Sequence, residues 1–437
     1  MSCMMLFVLG LLTFPGTVVY AQHSGTHTDE NKVPAYTLPE ILVGRHGRKI
    51  KKLKQWEKIR RPEILELFRQ EVYGEVPGTL AVQEVIVHEK ETEAFDGLAV
   101  RTQLELVFRK ADRELSAGVL IYFPPGGARV PVFLAYNFLG NHAIADDPDI
   151  RLTESWVYDH PSLGIIHNQI TEQSRGVVSE RWPVEKIIGA GYGLVTLYYG
   201  DVDPDRNEFG DGIHPFFYTE GQERPRSNEW GAVAAWAWGL SRVMDCLERQ
   251  ERIDTDRVIV LGHSRLGKAA LWAAAADTRF AACISNDSGC MGAALSRRRF
   301  GETVEVINAN FPHWFCGNFK KYSGREADLP FDQHMLLALM APRPLYVASA
   351  TEDLWADPKG EFLSARLASD VWRLYGEKVL ETDELPPADT PVPGVVSYHI
   401  RSGKHDLTSW DWEQYIRFAD RQVGTGRRRM GYSVKND

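Results

Sequence analysis

The segment VIVLGHSRLGKAALW, Val258 to Trp272, permits few folds. A short β-branched strand, Arg257 to Leu261, runs almost directly into an alanine-rich helix, Lys268 to Ala276. Glycines at 262 and 267 let the chain turn sharply and let the helix pack close to the strand it leaves. A strand feeding a helix is half of a βαβ unit, and the same alternation continues along the chain. Strands are predicted over 193–199, 281–285, 344–349 and 395–400, and helices over 183–190, 229–249, 362–375 and 411–422. Such alternation builds a mainly parallel sheet covered on both faces, a three-layer αβα sandwich. Upstream, 82–89 and 98–108 alternate apolar and polar residues as antiparallel strands do, and 115–123 and 130–136 read as buried strands. They extend one edge of a mixed sheet. A helix is predicted over 56–73.

Ser264 stands between the strand and the helix, where a nucleophile elbow would carry its serine. The second glycine of a G-x-S-x-G pattern comes one position late, at Gly267, and Arg265 follows the serine. A serine at such a turn can equally be a helix N-cap. As a nucleophile it needs a base in reach, and the base needs an orienting acid. In α/β-hydrolases the chain order is serine, acid, histidine. His405 follows the last predicted strand and Asp353 follows the strand before it, so both fit. His313 and His334 precede the acid, His399 lies inside a strand, and His263 is too close in sequence to fold back onto Ser264.

Residues 1–21 carry no charged side chain, and an apolar run from Met4 to Leu12 leads to Val19-Tyr20-Ala21. This is the pattern of a secretory signal peptide, too short in its apolar part to span a bilayer. Residues 22–34 are polar and read as a flexible leader. Residues 35–437 form one catalytic domain with long insertions near 137–177 and 288–329, a length usual only for functional loops. The charge is −9, with 50 basic and 59 acidic residues interspersed. No basic stripe marks a nucleic-acid surface, and no segment after the signal marks a membrane span. There is no C-x-x-C and no H-E-x-x-H, so no metal is expected. In an oxidising compartment Cys290 and Cys316 read equally as a disulfide or as buried thiols.

GHSRLGK at 262–268 is similar to the G-C-S-R-x-G-K signature of the glucuronoyl esterases, carbohydrate esterase family 15, with His263 where a cysteine is usual. SNDSGCMGAALSRRRFGETVE at 285–305, FPHWFC at 311–316 and DLWAD at 353–357 resemble the bacterial members. The resemblance spans from about Leu115 to the C-terminus. It implies an α/β-hydrolase that cleaves esters between (4-O-methyl-)glucuronic acid of xylan and lignin alcohols. Ser264 and His405 would be nucleophile and base, with Arg265 in the oxyanion hole. Lys268, Glu302 and Trp355 would hold the sugar. Many members place the acid after the strand that follows the serine's helix, which here is Asp287, one methylene shorter than the usual glutamate. Asp353 is favoured, with Asp287 as its rival.

The chain is therefore expected to be a secreted, monomeric serine esterase that acts on glucuronoxylan or lignin–carbohydrate esters without metal or cofactor. An acetyl or feruloyl xylan esterase is the runner-up. A non-catalytic glycan-binding protein on a hydrolase scaffold is the alternative from another class.

Overall fold

The computed structural model describes residues 26–424. The expected signal peptide, residues 1–21, lies outside them. Nine strands form one mixed sheet. Three antiparallel strands open it: β1 (Glu84–Ala94), β2 (Ala99–Lys110) and β3 (Arg113–Phe123). β4 (Val130–Asn137) follows, then a two-stranded hairpin outside the main sheet, β5 (Ile165–Ile166) and β6 (Gln169–Ile170). The sheet is completed by β7 (Gly193–Tyr198), β8 (Ile253–His263), β9 (Ala282–Asn286), β10 (Leu345–Ala350) and β11 (Val396–Arg401). Their spatial order is β1-β2-β3-β7-β4-β8-β9-β10-β11, parallel from β7 onward. This is the α/β-hydrolase fold, as the alternation of short apolar strands and helices predicts.

The parallel strands are apolar on both faces because both are covered. Along β4, Val132, Leu134 and Tyr136 enter one core with residues of the helices α4 (Ala232–Leu247) and α5 (Arg265–Ala276). Phe133 and Ala135 point the other way, into a core with Ile187 and Ile188 of α3 (Val184–Gly189) and Trp412 and Phe418 of α9 (Ser409–Gln422). The period of two in the strand thus becomes two helical layers. The remaining helices are α1 (Leu53–Gln55), α2 (Arg61–Phe68), α6 (Val304–Asn310), α7 (Gln333–Ala338) and α8 (Pro358–Ser369). α1 and α2 belong to one helical run that continues to Tyr73 through wider, π-type turns.

The structure differs from expectation in two places, and at the cysteines it takes one of the two readings left open. α5 begins at Arg265 rather than Lys268, because the chain is helical from the residue after Ser264. Part of the stretch read as a flexible leader is pinned to the body. The N–H of Gly301 donates to the carbonyl of His27 (2.8 Å), and Glu30 pairs with Arg298 (2.5 Å) and Lys359 (3.0 Å). Arg298 in turn donates to Asp357 (2.8 Å), so a buried cation holds this polar segment down. Cys290 and Cys316 are both buried free thiols, as are Cys246 and Cys283. Burial pushes the Cys316 thiol up to about 11, which keeps it protonated and unreactive. Among the described residues no helix is long and apolar enough to cross a membrane.

Candidate active site

β8, β9, β10 and β11 are neighbours, and the turns that leave their C-terminal ends meet. The site is built from those four turns, as open α/β sheets favour. Ser264 occupies the first. Its φ of 58° and ψ of −130° are unusual for a residue with a side chain, and its N–H donates to the carbonyl of Asn286 (2.9 Å). Such a conformation persists only where the surroundings impose it. Here they do: a Cβ at 262 would lie 2.0 Å from the carbonyl oxygen of Leu266, and one at 267 would lie 2.8 Å from Cβ of Ser288. Both glycines are required by close approach, so the late glycine belongs to the turn. The amino terminus of α5 then presents backbone N–H groups beside Ser264 that have no partner within the helix.

His405 lies in the loop after β11 and Asp353 in the turn after β10. The Nδ1 of His405 donates to Oδ2 of Asp353 at 2.6 Å, which leaves Nε2 as the free nitrogen of the ring. The His405 ring packs 4.5 Å from that of His263, the residue before Ser264. His263 shares a hydrogen bond with Oδ1 of Asn286 (2.6 Å), and burial followed by the proximity of His405 holds its basicity well below that of an ordinary histidine. His263 is therefore a neutral wall of the site.

Asp287 comes from the turn after β9 and is 2% exposed. Its carboxylate and the donor atoms of Asp353 and His405 lie within 4.8 Å of one another. Unlike Asp353, it has no hydrogen-bond partner on either oxygen, and Arg401 approaches only to 4.0 Å. Burial, then the charges of Asp353, Glu361 and Asp411, raise its pKa well above the usual carboxylate range. Both acids flank the histidine, and the hydrogen bond goes to Asp353. Asp287, Asp353 and His405 are also the described residues whose donor atoms come close enough together to hold a metal ion.

The three other histidines weighed for the base, His313, His334 and His399, are engaged elsewhere. His313 contacts Asp205 (2.8 Å), His334 the carbonyl of Pro39 (2.9 Å), and His399 bridges Tyr346 and Asp411 (2.9 and 3.0 Å).

Arg265 points across the site toward the loop after β7. Its guanidinium pairs with Asp205 and lies among the rings of Trp314 (5.3 Å), Phe138 (5.8 Å) and Phe311 (5.9 Å). Asp205 is fully buried and also accepts from His313, from the indole N–H of Trp314 (2.7 Å) and from the hydroxyl of Tyr199 (3.1 Å). Burial alone would raise its pKa. Arg265, then His313 and Trp314, reverse that and keep the carboxyl well below the usual range. Sequence reasoning passed over Asp205, although Asp203-Pro204-Asp205 sits just beyond the C-terminal end of a predicted parallel strand, where functional side chains gather.

Lys268, one turn beyond Ser264, is buried, and its ammonium donates to the carbonyl of Ser288 (2.6 Å). Glu302 is buried near it, and the Glu302 N–H donates to the carbonyl of Trp355 (3.0 Å), so Lys268, Glu302 and Trp355 are neighbours. Glu361, which sequence reasoning missed, lies close by. It accepts from Ser349 Oγ (2.6 Å), Gly289 N–H (2.9 Å) and Ser288 Oγ (3.3 Å), fixing the turn that carries Asp287. Burial, opposed by the Ser349 and Gly289 hydrogen bonds and aided by Asp353 and Asp357, leaves its pKa pushed up to about 8.

Fold and site together define a carboxylic ester hydrolase on an α/β-hydrolase frame. The family model "Glucuronyl esterase, fungi" matches residues 186–376. The carbohydrate esterase MZ0003, of an unknown prokaryotic organism, is 49% identical over 422 residues, covering 96% of this chain and 98% of its own. A promiscuous CE15 esterase from a marine bacterial metagenome superposes with a TM-score of 0.85 at 50% identity, covering 91% of this chain and all (100%) of its own. The glucuronoyl esterase of Solibacter usitatus superposes with a TM-score of 0.84 at 48% identity, covering 90% and 100%. The chain belongs to carbohydrate esterase family 15, the glucuronoyl esterases.

Two outcomes follow from these buried groups. Asp205→Ala removes the buried carboxylate that pairs with Arg265 and accepts from His313, Trp314 and Tyr199, and should cost about 3–5 kcal/mol of stability, read from denaturant unfolding. Glu361 keeps a proton in the folded state that an unfolded chain releases above its ordinary pKa of 4.5. Its contribution therefore falls as pH rises from there toward 8. Glu361→Gln, uncharged throughout, should flatten that decline, so the thermal midpoint of the variant gains on the parent as pH rises.

Proposed function

We propose that the protein hydrolyses esters of (4-O-methyl-)glucuronic acid carried by xylan, releasing lignin-type alcohols, through Ser264, His405 and Asp353. The observation that carries this reading is the 2.6 Å hydrogen bond from His405 to Asp353 in the loops beside the Ser264 elbow. Asp353 fixes the tautomer of His405, so that Nε2 can take the hydroxyl proton as Ser264 attacks the uronate carbonyl. The N–H groups at the start of α5 and the Arg265 guanidinium, held by Asp205, stabilise the oxyanion. Removal of even a neutral donor from such a site costs about 3–4 kcal/mol of transition-state stabilisation. His405 then protonates the leaving alcohol, and water attacking the acyl-enzyme releases the uronic acid by the reverse steps.

Lys268, Glu302 and Trp355 form the sugar side of the site in this reading. A neighbouring cation, carboxyl and aromatic side chain suit a pyranose bearing several hydroxyls. Residues 1–21 serve as an export signal, and the mature chain acts as a secreted monomer. A broader specificity, including acetyl esters, is favoured by one observation: the marine relative at 50% identity is described as promiscuous.

Ser264→Ala and His405→Ala should each lower kcat on benzyl glucuronate by roughly 10⁴-fold or more with unchanged folding. Turnover at the parent's rate in either variant rules out the proposed nucleophile and base. Asp353→Asn should lose about 10²–10⁴-fold. Asp287→Asn, at a carboxyl that makes no hydrogen bond to His405, should stay within a fewfold. The reverse pattern would transfer the acid's role to Asp287. A fluorophosphonate should label Ser264, and failure to label would favour a non-catalytic binding protein.

A further inference from the structure

The insertion after β4 is ordered, yet the ester chemistry uses little of it. Its first half folds back over the antiparallel end of the sheet and covers a cavity of about 230 Å³. Glu105, Ser116, Asn141, Arg151, Thr153 and Asp201 line it. The lining mixes hydroxyl, amide, cationic and anionic groups at close range. A simple anion would meet Glu105 and Asp201, and a simple cation would meet Arg151. An apolar ligand would find little to bury. A neutral polyhydroxyl compound, whose every hydroxyl both donates and accepts, is what such a wall recognises.

The walls are already set. Asp201 is 5% exposed and accepts from Thr153 Oγ1 (2.5 Å) and from the N–H of Gly118 (3.1 Å). Asn141 donates to the carbonyl of Gly118 (2.9 Å), and Arg151 stands 3.8 Å from Glu105. A cavity of this size is smaller than a typical drug-sized pocket of about 300–1,000 Å³, so it suits one sugar ring rather than a chain segment.

Its position ties it to the ester site. Gly118 precedes Val119, which pairs with Leu197 near the C-terminal end of β7, the same end of the sheet as Ser264. Between β3 and β8 lie only β7 and β4, so three strand spacings separate cavity from elbow, about 14 Å. Aromatic residues bridge that distance. The rings of Trp156 and Tyr158 are 4.6 Å apart, and Tyr158 is 46% exposed. The Tyr158 hydroxyl donates to the carbonyl of Asp205, the residue that holds Arg265.

We propose that this cavity is a second carbohydrate subsite, which binds one neutral sugar unit of the glycan chain that carries the uronate ester. The proposal rests on the glucuronoyl esterase reading, and it makes the insertion a device for choosing polymer over small ester.

Gly118 supplies the test. It does not have a positive φ, and an added Cβ would meet nothing closer than Asn141 Nδ2 and Asp201 Oδ2, each at 3.8 Å. Gly118→Val therefore fills the floor of the cavity within a strand that tolerates valine. Arg151→Ala, at the exposed rim, removes a wall without touching the floor. Binding of xylotetraose, which has no ester, is followed by calorimetry in the full chain and both variants. Cleavage of benzyl glucuronate and of the same ester attached to glucuronoxylan is measured in parallel. The parent should bind xylotetraose, and each variant should weaken binding about tenfold, the loss of one well-made polar contact. Each should lose a similar factor in kcat/KM on the polymer and change by less than about twofold on benzyl glucuronate. No binding by the parent, binding unchanged in both variants, or equal loss on both substrates overturns the subsite. Inactivity of the parent on benzyl glucuronate would overturn the ester reading instead, and xylotetraose binding would still report on the cavity.

Discussion

The buried pair of Arg265 and Asp205 is the interaction on which the site depends. It joins the first residue of α5, which follows β8, to the loop after β7, across the one strand between them, β4. Neither charge could be left alone there, because an unpaired buried ion costs several kcal/mol. Asp205 meets that demand from several sides. It gathers His313 and Trp314 from the insertion 288–329 and Tyr199 from the end of β7, so one carboxylate fixes three segments around the guanidinium. The rings of Trp314, Phe138 and Phe311 stand 5.3, 5.8 and 5.9 Å from the guanidinium and help hold it beside the Ser264 turn.

The opposite side of the site is organised by acids. Asp287, Asp353 and Glu361 converge below His405 and the 287–289 turn, too close together for all of them to ionise. Asp353 has the histidine as its partner, while burial and the neighbouring carboxyls raise the pKa values of Asp287 and Glu361. Distance and burial, rather than residue type, thus give carboxyls of nearly the same chemistry different environments.

Much of this was legible in the sequence. The strand–turn–helix around Ser264, the order of Asp353 and His405, and the antiparallel edge all follow from periodicity and glycine placement. These are local properties, and the physics that sets them acts within a few residues. The start of α5 was read three residues late, at Lys268, although Gly267 lies inside the helix, where an added Cβ would meet Ser288. The polar stretch 22–34 reads as a leader because its composition is polar. That reading could not foresee Arg298, a buried cation more than 260 residues away, which takes Glu30 as a partner.

The sequence alone determined the layered fold, the elbow and the serine–acid–histidine order, because apolar period and chain order survive without knowledge of contacts. Tertiary structure alone decided which acid His405 engages, that Arg265 is anchored by Asp205, and that Cys290 and Cys316 stay reduced. Each of these depends on distances between segments far apart in the chain. Burial and Coulomb energy are properties of those distances, and no local pattern of residues encodes them.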